Sequence, residues 1–211
     1  MIHEAVSLLR KEIVTYFSVN GYSLSDADDI VVIENIGLFD SSTSGVNLDD
    51  KVVLTVVNIE EESTLKNTAF VRKDPGSNAR YINPPVYLNL YLLITACNKS
   101  TDNNSYLDAL NKLSLVIRFF QGKDSFSIGT STFYDPSKFS SEEILNLRIT
   151  AELYTLTFEQ LNHLWGSLGG KQMPFAMYKL RLVAISDHKL VREVPLIEEI
   201  ETNASPVIIK M

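Results

Sequence analysis

Apolar and polar positions alternate without a break from residue 86 to residue 97. Val86, Leu88, Leu90, Leu92, Ile94 and Ala96 take one face of an extended strand; Tyr87, Asn89, Tyr91, Leu93, Thr95 and Cys97 take the other. A period of two predicts a long strand with one dry face and one semi-polar face. Pro84 and Pro85 fix where it starts, because neither can donate to a ladder. Residues 175–186 repeat the pattern. Ala176, Tyr178, Leu180, Leu182 and Ala184 face one way, and Met177, Lys179, Arg181, Val183 and Ile185 the other. Residues 51–61 form a third run, apolar on both faces from Val52 to Val57, which predicts a strand inside a covered sheet. Shorter strands are expected over 30–33 and 149–156.

Between these runs the period changes to that of a helix. Ala5, Leu8, Leu9, Ile13, Tyr16 and Phe17 make one stripe over residues 2–19, with Glu4, Ser7, Arg10, Lys11 and Thr15 pointing away; Asn20-Gly21 ends it. Ser105 to Asp108 reads as a capping box opening a helix to Gln121, with Leu110, Leu113, Ile117 and Phe120 as its inner stripe. Thr157 to Gln160 reads as a second capping box. Its helix runs through Leu168, with Phe158, Leu161, Trp165 and Leu168 inward and Gly169-Gly170 as the stop. A short helix is expected over 142–147. Residues 40–50 and 62–82 read as loops. The predicted fold class is α/β: one mixed sheet of about five or six strands flanked by helices, with the two long strands central. Residues 1–194 are expected to form one domain and 195–211 a C-terminal arm.

Composition narrows the function. The 211 residues are 45% hydrophobic and 21% charged, enough for a packed core. A net charge of −7 argues against non-specific nucleic-acid binding and against an anionic membrane surface. The start Met1-Ile2-His3-Glu4 lacks the basic region and apolar stretch of a signal peptide, so synthesis and folding in the cytoplasm are expected. The single cysteine, Cys97, rules out an internal disulfide or a cysteine zinc cluster and reads as a buried structural thiol.

No catalytic constellation stands out. His3, His163 and His188 adjoin no nucleophile elbow, and neither a P-loop nor a G-x-G-x-x-G is present. Glu60-Glu61-Glu62 alternate across a strand, so they cannot converge on one ion without a bend. Three features are less bland. Tyr87, Asn89 and Tyr91 share one strand face, Lys179 and Arg181 another, with Glu152 on a third strand. If the faces coincide, the result is either a half-covered sheet with charges at its rim or a subunit interface, where Tyr and Arg are favoured. The stretch 62–82 gathers Lys66, Arg72, Lys73 and Arg80 in an otherwise acidic chain, as a solvated loop or a partner-binding one. Beyond Pro195 an acidic cluster precedes Val207, Ile208 and Ile209, a β-prone end suited to adding a strand to a neighbour.

Four stretches together resemble one family. They are residues 56–67; the Asn-Pro-Pro-Val-Tyr-Leu-Asn-Leu run continuing to Ala96; residues 106–121; and residues 157–183 with their Leu-Trp-Gly-Ser-Leu-Gly-Gly run. Their order is similar to the N-terminal domain of tail-terminator, or cap, proteins of phage-tail-like contractile injection systems of the antifeeding-prophage and Photorhabdus-virulence-cassette type. The resemblance implies a structural protein with no enzyme activity, cofactor or metal. It implies a hexameric ring that closes the distal end of the inner tube and anchors the sheath. The implied partners are further copies of the chain, tube and sheath proteins and a second cap paralogue, with no nucleic acid and no membrane insertion. Assembly in the bacterial cytoplasm, followed by release of the particle, is the implied setting. Two rivals stay open: a tube or sheath subunit, and a small enzyme using Asp187 or His188.

Overall fold

The structure, a computed structural model, describes residues 2–39, 47–65, 71–73, 78–98, 103–131, 148–185 and 190–195. Its strands are β1 (Val31–Ile33), β2 (Val52–Glu61), β3 (Val71–Lys73), β4 (Asn78–Ile82), β5 (Val86–Ala96), β6 (Ser125–Ser127), β7 (Arg148–Leu153), β8 (Phe175–Ile185) and β9 (Leu190–Pro195). Its helices are α1 (Ile2–Val19), α2 (Leu24–Ile30), α3 (Asn103–Gly122) and α4 (Phe158–Ser167). The chain divides into two units, Met1–Leu65 with Val86–Ile185, and Lys66–Pro85 with Ser186–Met211.

The first unit holds a six-stranded sheet in the order β1-β2-β5-β8-β7-β6. β1 runs parallel to β2, and the other neighbours are antiparallel, so the sheet is mixed as expected. The two long alternating strands, β5 and β8, lie side by side at its centre. The dry face of β5 is covered by α1 and α3. Leu90, Leu92, Ile94 and Ala96 pack with Leu8, Leu9, Ile13 and Phe17 of α1 and with Val116, Phe119 and Phe120 of α3. Phe120 stacks on Tyr178 of β8 at 4.1 Å between ring centroids. Burial without a polar partner pushes the Tyr178 phenol up to about 12.

Both long-range helix stops follow from glycine. After α1, the Tyr22 N–H returns to the Phe17 carbonyl (3.3 Å) across Gly21 at φ 112°, while the two rings meet at 5.4 Å. After α4, the Gly170 N–H returns to the Trp165 carbonyl (2.7 Å) across Gly169 at φ 109°. Each is a six-to-one closure that satisfies a helix-end carbonyl and needs a residue free of Cβ. The predicted box at Thr157 forms in full. The Gln160 N–H donates to Thr157 Oγ1 (3.3 Å), and the Thr157 N–H to Gln160 Oε1 (3.0 Å).

Several expectations need correction. The capping box at Ser105 does not form, because α3 begins two residues earlier and the Ser105 hydroxyl donates to Asn98 Oδ1 instead. The inner stripe of α3 is Ala109, Lys112, Leu113, Val116, Phe119 and Phe120; Leu110 and Ile117 are 36% and 41% exposed. Lys112 is buried because its ammonium donates to the carbonyl (2.9 Å) and carboxylate of Asp50, which holds that turn at φ 61°. Phe158 is exposed, whereas Trp165 is buried and Leu164 and Leu168 pack inward. Residues 24–30, of which only Ile30 is assigned by the sequence, to the expected 30–33 strand, form α2, capped by the Ser23 hydroxyl. The stretch 62–82 is not one loop. In the second unit β3, β4 and β9 form an antiparallel sheet in that order. The helix expected at 142–147 lies outside the described residues.

Replacing Leu92 by Ala should cost about 2–5 kcal/mol of unfolding free energy, since the side chain is fully buried between two helices and two strands. Ile117→Ala, one turn along an exposed stripe, should stay within about 0.5 kcal/mol. Urea unfolding curves of the two variants check both; equal losses would put Ile117 back in the core.

Candidate functional site

The second face of the β-sheet changes character along its length. At the β5 C-terminal end it is dry. Val53, Leu93 and Cys97 pack with Ile36, Phe39 and Leu48, under Leu164 and Leu168 of α4. Cys97 is 2% exposed, a structural thiol as expected. At the β5 N-terminal end the same face is polar, and neighbouring strands bring charged side chains together there.

Register explains how. β2 pairs Val56 with Leu92 but Asn58 with Tyr91, so Val57 is an extra residue. The bulge shifts the parity of β2. Before it, Val53 and Thr55 stand opposite Thr95 and Leu93; after it, Asn58 and Glu60 stand opposite Tyr91 and Asn89, on that same face. β8 carries a matching irregularity. Leu90 pairs with Leu180 but Leu88 with Val183, so Arg181 and Leu182 together span the position of Asn89. β7 adds Glu152, opposite Lys179.

The resulting cluster is tightly wired. The Tyr91 hydroxyl donates to Glu60 Oε2 (2.7 Å), and Asn89 Nδ2 donates to Glu62 Oε2 (3.0 Å). The Thr64 hydroxyl donates to the other oxygen of Glu62 (2.7 Å). Arg181 lies between two carboxylates, 3.2 Å from Glu152 and 4.0 Å from Glu62. Lys179 sits 3.9 Å from Glu60 and 5.5 Å from the centre of the Tyr91 ring, which Tyr154 meets edge-on at 5.1 Å. The hydrogen bond to Glu60 pushes the Tyr91 phenol up to about 12. The bonds from Asn89 and Thr64, with the Arg181 charge beyond them, hold the Glu62 carboxyl down at about 2.

The structure thus brings Asn89, Lys179, Arg181 and Glu152 together, as the shared-face pattern suggests. Asn89 is buried beneath the carboxylates, while Arg181 is 42% exposed at its side chain. Tyr87 is half-buried one pair further along, opposite Ala184. Glu60 and Glu62 join the cluster, where the sequence pattern did not place them, and the missing signal is the bulge at Val57. Among the basic residues, Arg72 stands opposite Arg80 and Lys73 opposite Ala79 in the β3–β4 ladder, while Lys66 lies outside the described residues. Val207, Ile208 and Ile209 lie outside them too, as do Asp187 and His188. His163 is exposed, with Glu159 4.0 Å away. No group of three or more His, Cys, Asp or Glu fit for a metal occurs among the described residues. No described helix is long and apolar enough to cross a membrane.

The cluster is a set of mutually paired charges on one strand face. The family model of the Pvc16 N-terminal domain matches residues 6–199. The chain belongs to this family. Two solved structures are similar in fold. One, described as the PVC sheath/tube terminator of an extracellular contractile injection system in its extended state, aligns over 95% of this chain and 63% of its own, with 12% identity and a TM-score of 0.58. The other, the tube-terminating cap of the anti-feeding prophage, aligns over 76% of this chain and 51% of its own, with 16% identity and a TM-score of 0.49. The chain therefore spans less than two thirds of each of these structures. Comparison with curated proteins finds no match.

The low value for Glu62 has a signed consequence. Its carboxyl ionises more readily in the folded chain than at the ordinary 4.5, so the group stabilises the fold above pH 4.5 and loses that effect as pH falls toward 2. Glu62→Gln should flatten the fall in melting temperature between those two values relative to the unsubstituted chain. Parallel curves across that window would mean that Glu62 is not held as described.

Proposed function

We propose that this chain is a structural terminator of a contractile injection particle. It closes the distal end of the inner tube as a hexameric ring, anchors the last sheath layer, and makes or breaks no covalent bond. The observation that carries this reading is the fold. Nearly the whole chain follows a sheath/tube terminator despite low identity, and the family match spans the same residues. The polar face supports it physically. A terminator must match a cylinder end on one side and refuse further subunits on the other, which calls for extended surfaces of fixed geometry.

In this reading Lys179, Arg181 and the rim of Tyr87 face a neighbouring subunit, with Asn89 holding the carboxylates beneath them. The basic residues Lys66, Arg72, Lys73 and Arg80 lie toward the acidic partners of the particle. The end of the chain, with Val207, Ile208 and Ile209, adds a strand to a neighbour. Tube and sheath proteins, a second cap paralogue and further copies of the chain are the partners. The particle is assembled in the cytoplasm and released from it.

Particles made without this chain should show tubes of scattered length and loosely held sheaths in electron micrographs. Uniform tubes with attached sheath would overturn the reading. Removing residues 196–211, which leaves β9 intact, should abolish incorporation into particles while keeping the melting temperature. Normal incorporation would reject the arm.

A further inference from the structure

The stop of α1 joins two residue types that can react with each other. Asn20-Gly21 is the only Asn-Gly sequence in the chain. An asparagine side chain holds its amide carbon one five-membered ring away from the next backbone nitrogen, and a following glycine, having no Cβ, leaves that nitrogen uncovered. The fold keeps the pair open. Both residues are exposed. Gly21 stands at φ 112°, and nothing lies within 4 Å of the point where a Cβ would be. The helix is closed by the amides on either side: the N–H groups of Asn20 (3.0 Å) and Tyr22 (3.3 Å) both donate to the Phe17 carbonyl. The Gly21 nitrogen can therefore react without first giving up a helix-closing bond. One contact holds the side chain back, since Asn20 Nδ2 donates to the Tyr16 carbonyl (2.8 Å) at an exposed site.

We propose that Asn20 is a self-modification site, converted to aspartate and isoaspartate by attack of the Gly21 nitrogen. The Gly21 N–H gives its proton to hydroxide, and the nitrogen bonds to Asn20 Cγ. The Cγ–Nδ2 bond breaks, and that nitrogen leaves as ammonia. Water then opens the five-membered imide. Cleavage of the new N–Cγ bond leaves aspartate in the normal backbone; cleavage at the main-chain carbonyl carbon leaves isoaspartate, with the chain routed through Cβ. No oxidation state changes, and water is the only co-reactant. Both products disturb the same helix end. The donor to the Tyr16 carbonyl becomes an acceptor-only carboxylate, and its charge stands at the negative end of α1. Isoaspartate also adds a backbone methylene between Phe17 and Tyr22, whose N–H and ring both meet Phe17. Phe17 is fully buried in the core under α1, so a lost stop loosens the helix where it covers the sheet. This chemistry needs nothing from the terminator reading: the chain marks its own age in any setting.

The test is ageing of the full chain in mildly alkaline buffer at body temperature. Trypsin releases Asn20, Asn35 and Asn47 in one peptide, because no Lys or Arg lies between Lys11 and Lys51. Asn35 and Asn47 are exposed too but precede Ile36 and Leu48, so they serve as internal references. Tandem mass spectrometry should find acid at position 20 well ahead of positions 35 and 47, and isoaspartyl methyltransferase should label the peptide. Strong urea should speed the conversion by about two- to tenfold, the restraint that one exposed hydrogen bond supplies. The melting temperature of the unsubstituted chain should fall as acid accumulates. Asn20→Gln, which keeps the amide but disfavours the ring, should abolish the labelling and hold its melting temperature through the same incubation. Asn20→Asp should start at a lower melting temperature. Conversion at position 20 no faster than at 35 and 47, or undiminished labelling of Asn20→Gln, overturns the site. So does a folded-state rate about a hundredfold or more below that in urea, which is more protection than one exposed bond gives. An unchanged melting temperature in the fully converted chain overturns the effect on α1.

Discussion

One extra residue in β2 decides what this sheet can present. Val57 has no partner in the β2–β5 ladder, and past it every side chain of β2 changes face. Were Val57 paired in a regular ladder, Asn58 and Glu60 would stand with Leu54 and Val56 above the buried core, where an unpaired carboxylate is far too costly to keep. With the bulge, they stand opposite Tyr91 and Asn89, and Glu60 meets Lys179 while Glu62 meets Arg181. The irregularity in β8 falls opposite Asn89, two residues along β5 from Tyr91, where the β2 bulge sits, so both flanking strands are reset within one short stretch of β5. The core on one face and the polar surface on the other both depend on that double adjustment.

The long-range plan was legible in the sequence wherever one period held over many residues. β5 and β8 could be placed at the centre because their alternation runs for eleven residues each. α1 and the box at Thr157 could be placed because capping chemistry and glycine stops are local. The shared polar face could be anticipated as well, since Asn89, Tyr91, Lys179 and Arg181 each alternate with core residues. Membership of Glu60 and Glu62 could not, because a bulge leaves no compositional trace. It is set by tertiary pairing and becomes visible only when a partner strand supplies the register.

The errors on α3 have a different cause. This helix carries two apolar stripes, one through Val116 and Phe119 and one through Leu110 and Ile117. Periodicity alone cannot choose between them. What chooses is Lys112, whose ammonium reaches the Asp50 turn only if the first stripe faces the sheet. A lysine at a helix position counts as polar in any pattern, so the sequence argues for the wrong rotation by about a third of a turn. β3, β4 and β9 went unseen for a simpler reason. They are short, Pro75-Gly76 separates β3 from β4 in sequence, and β4 pairs with β9 across more than a hundred residues.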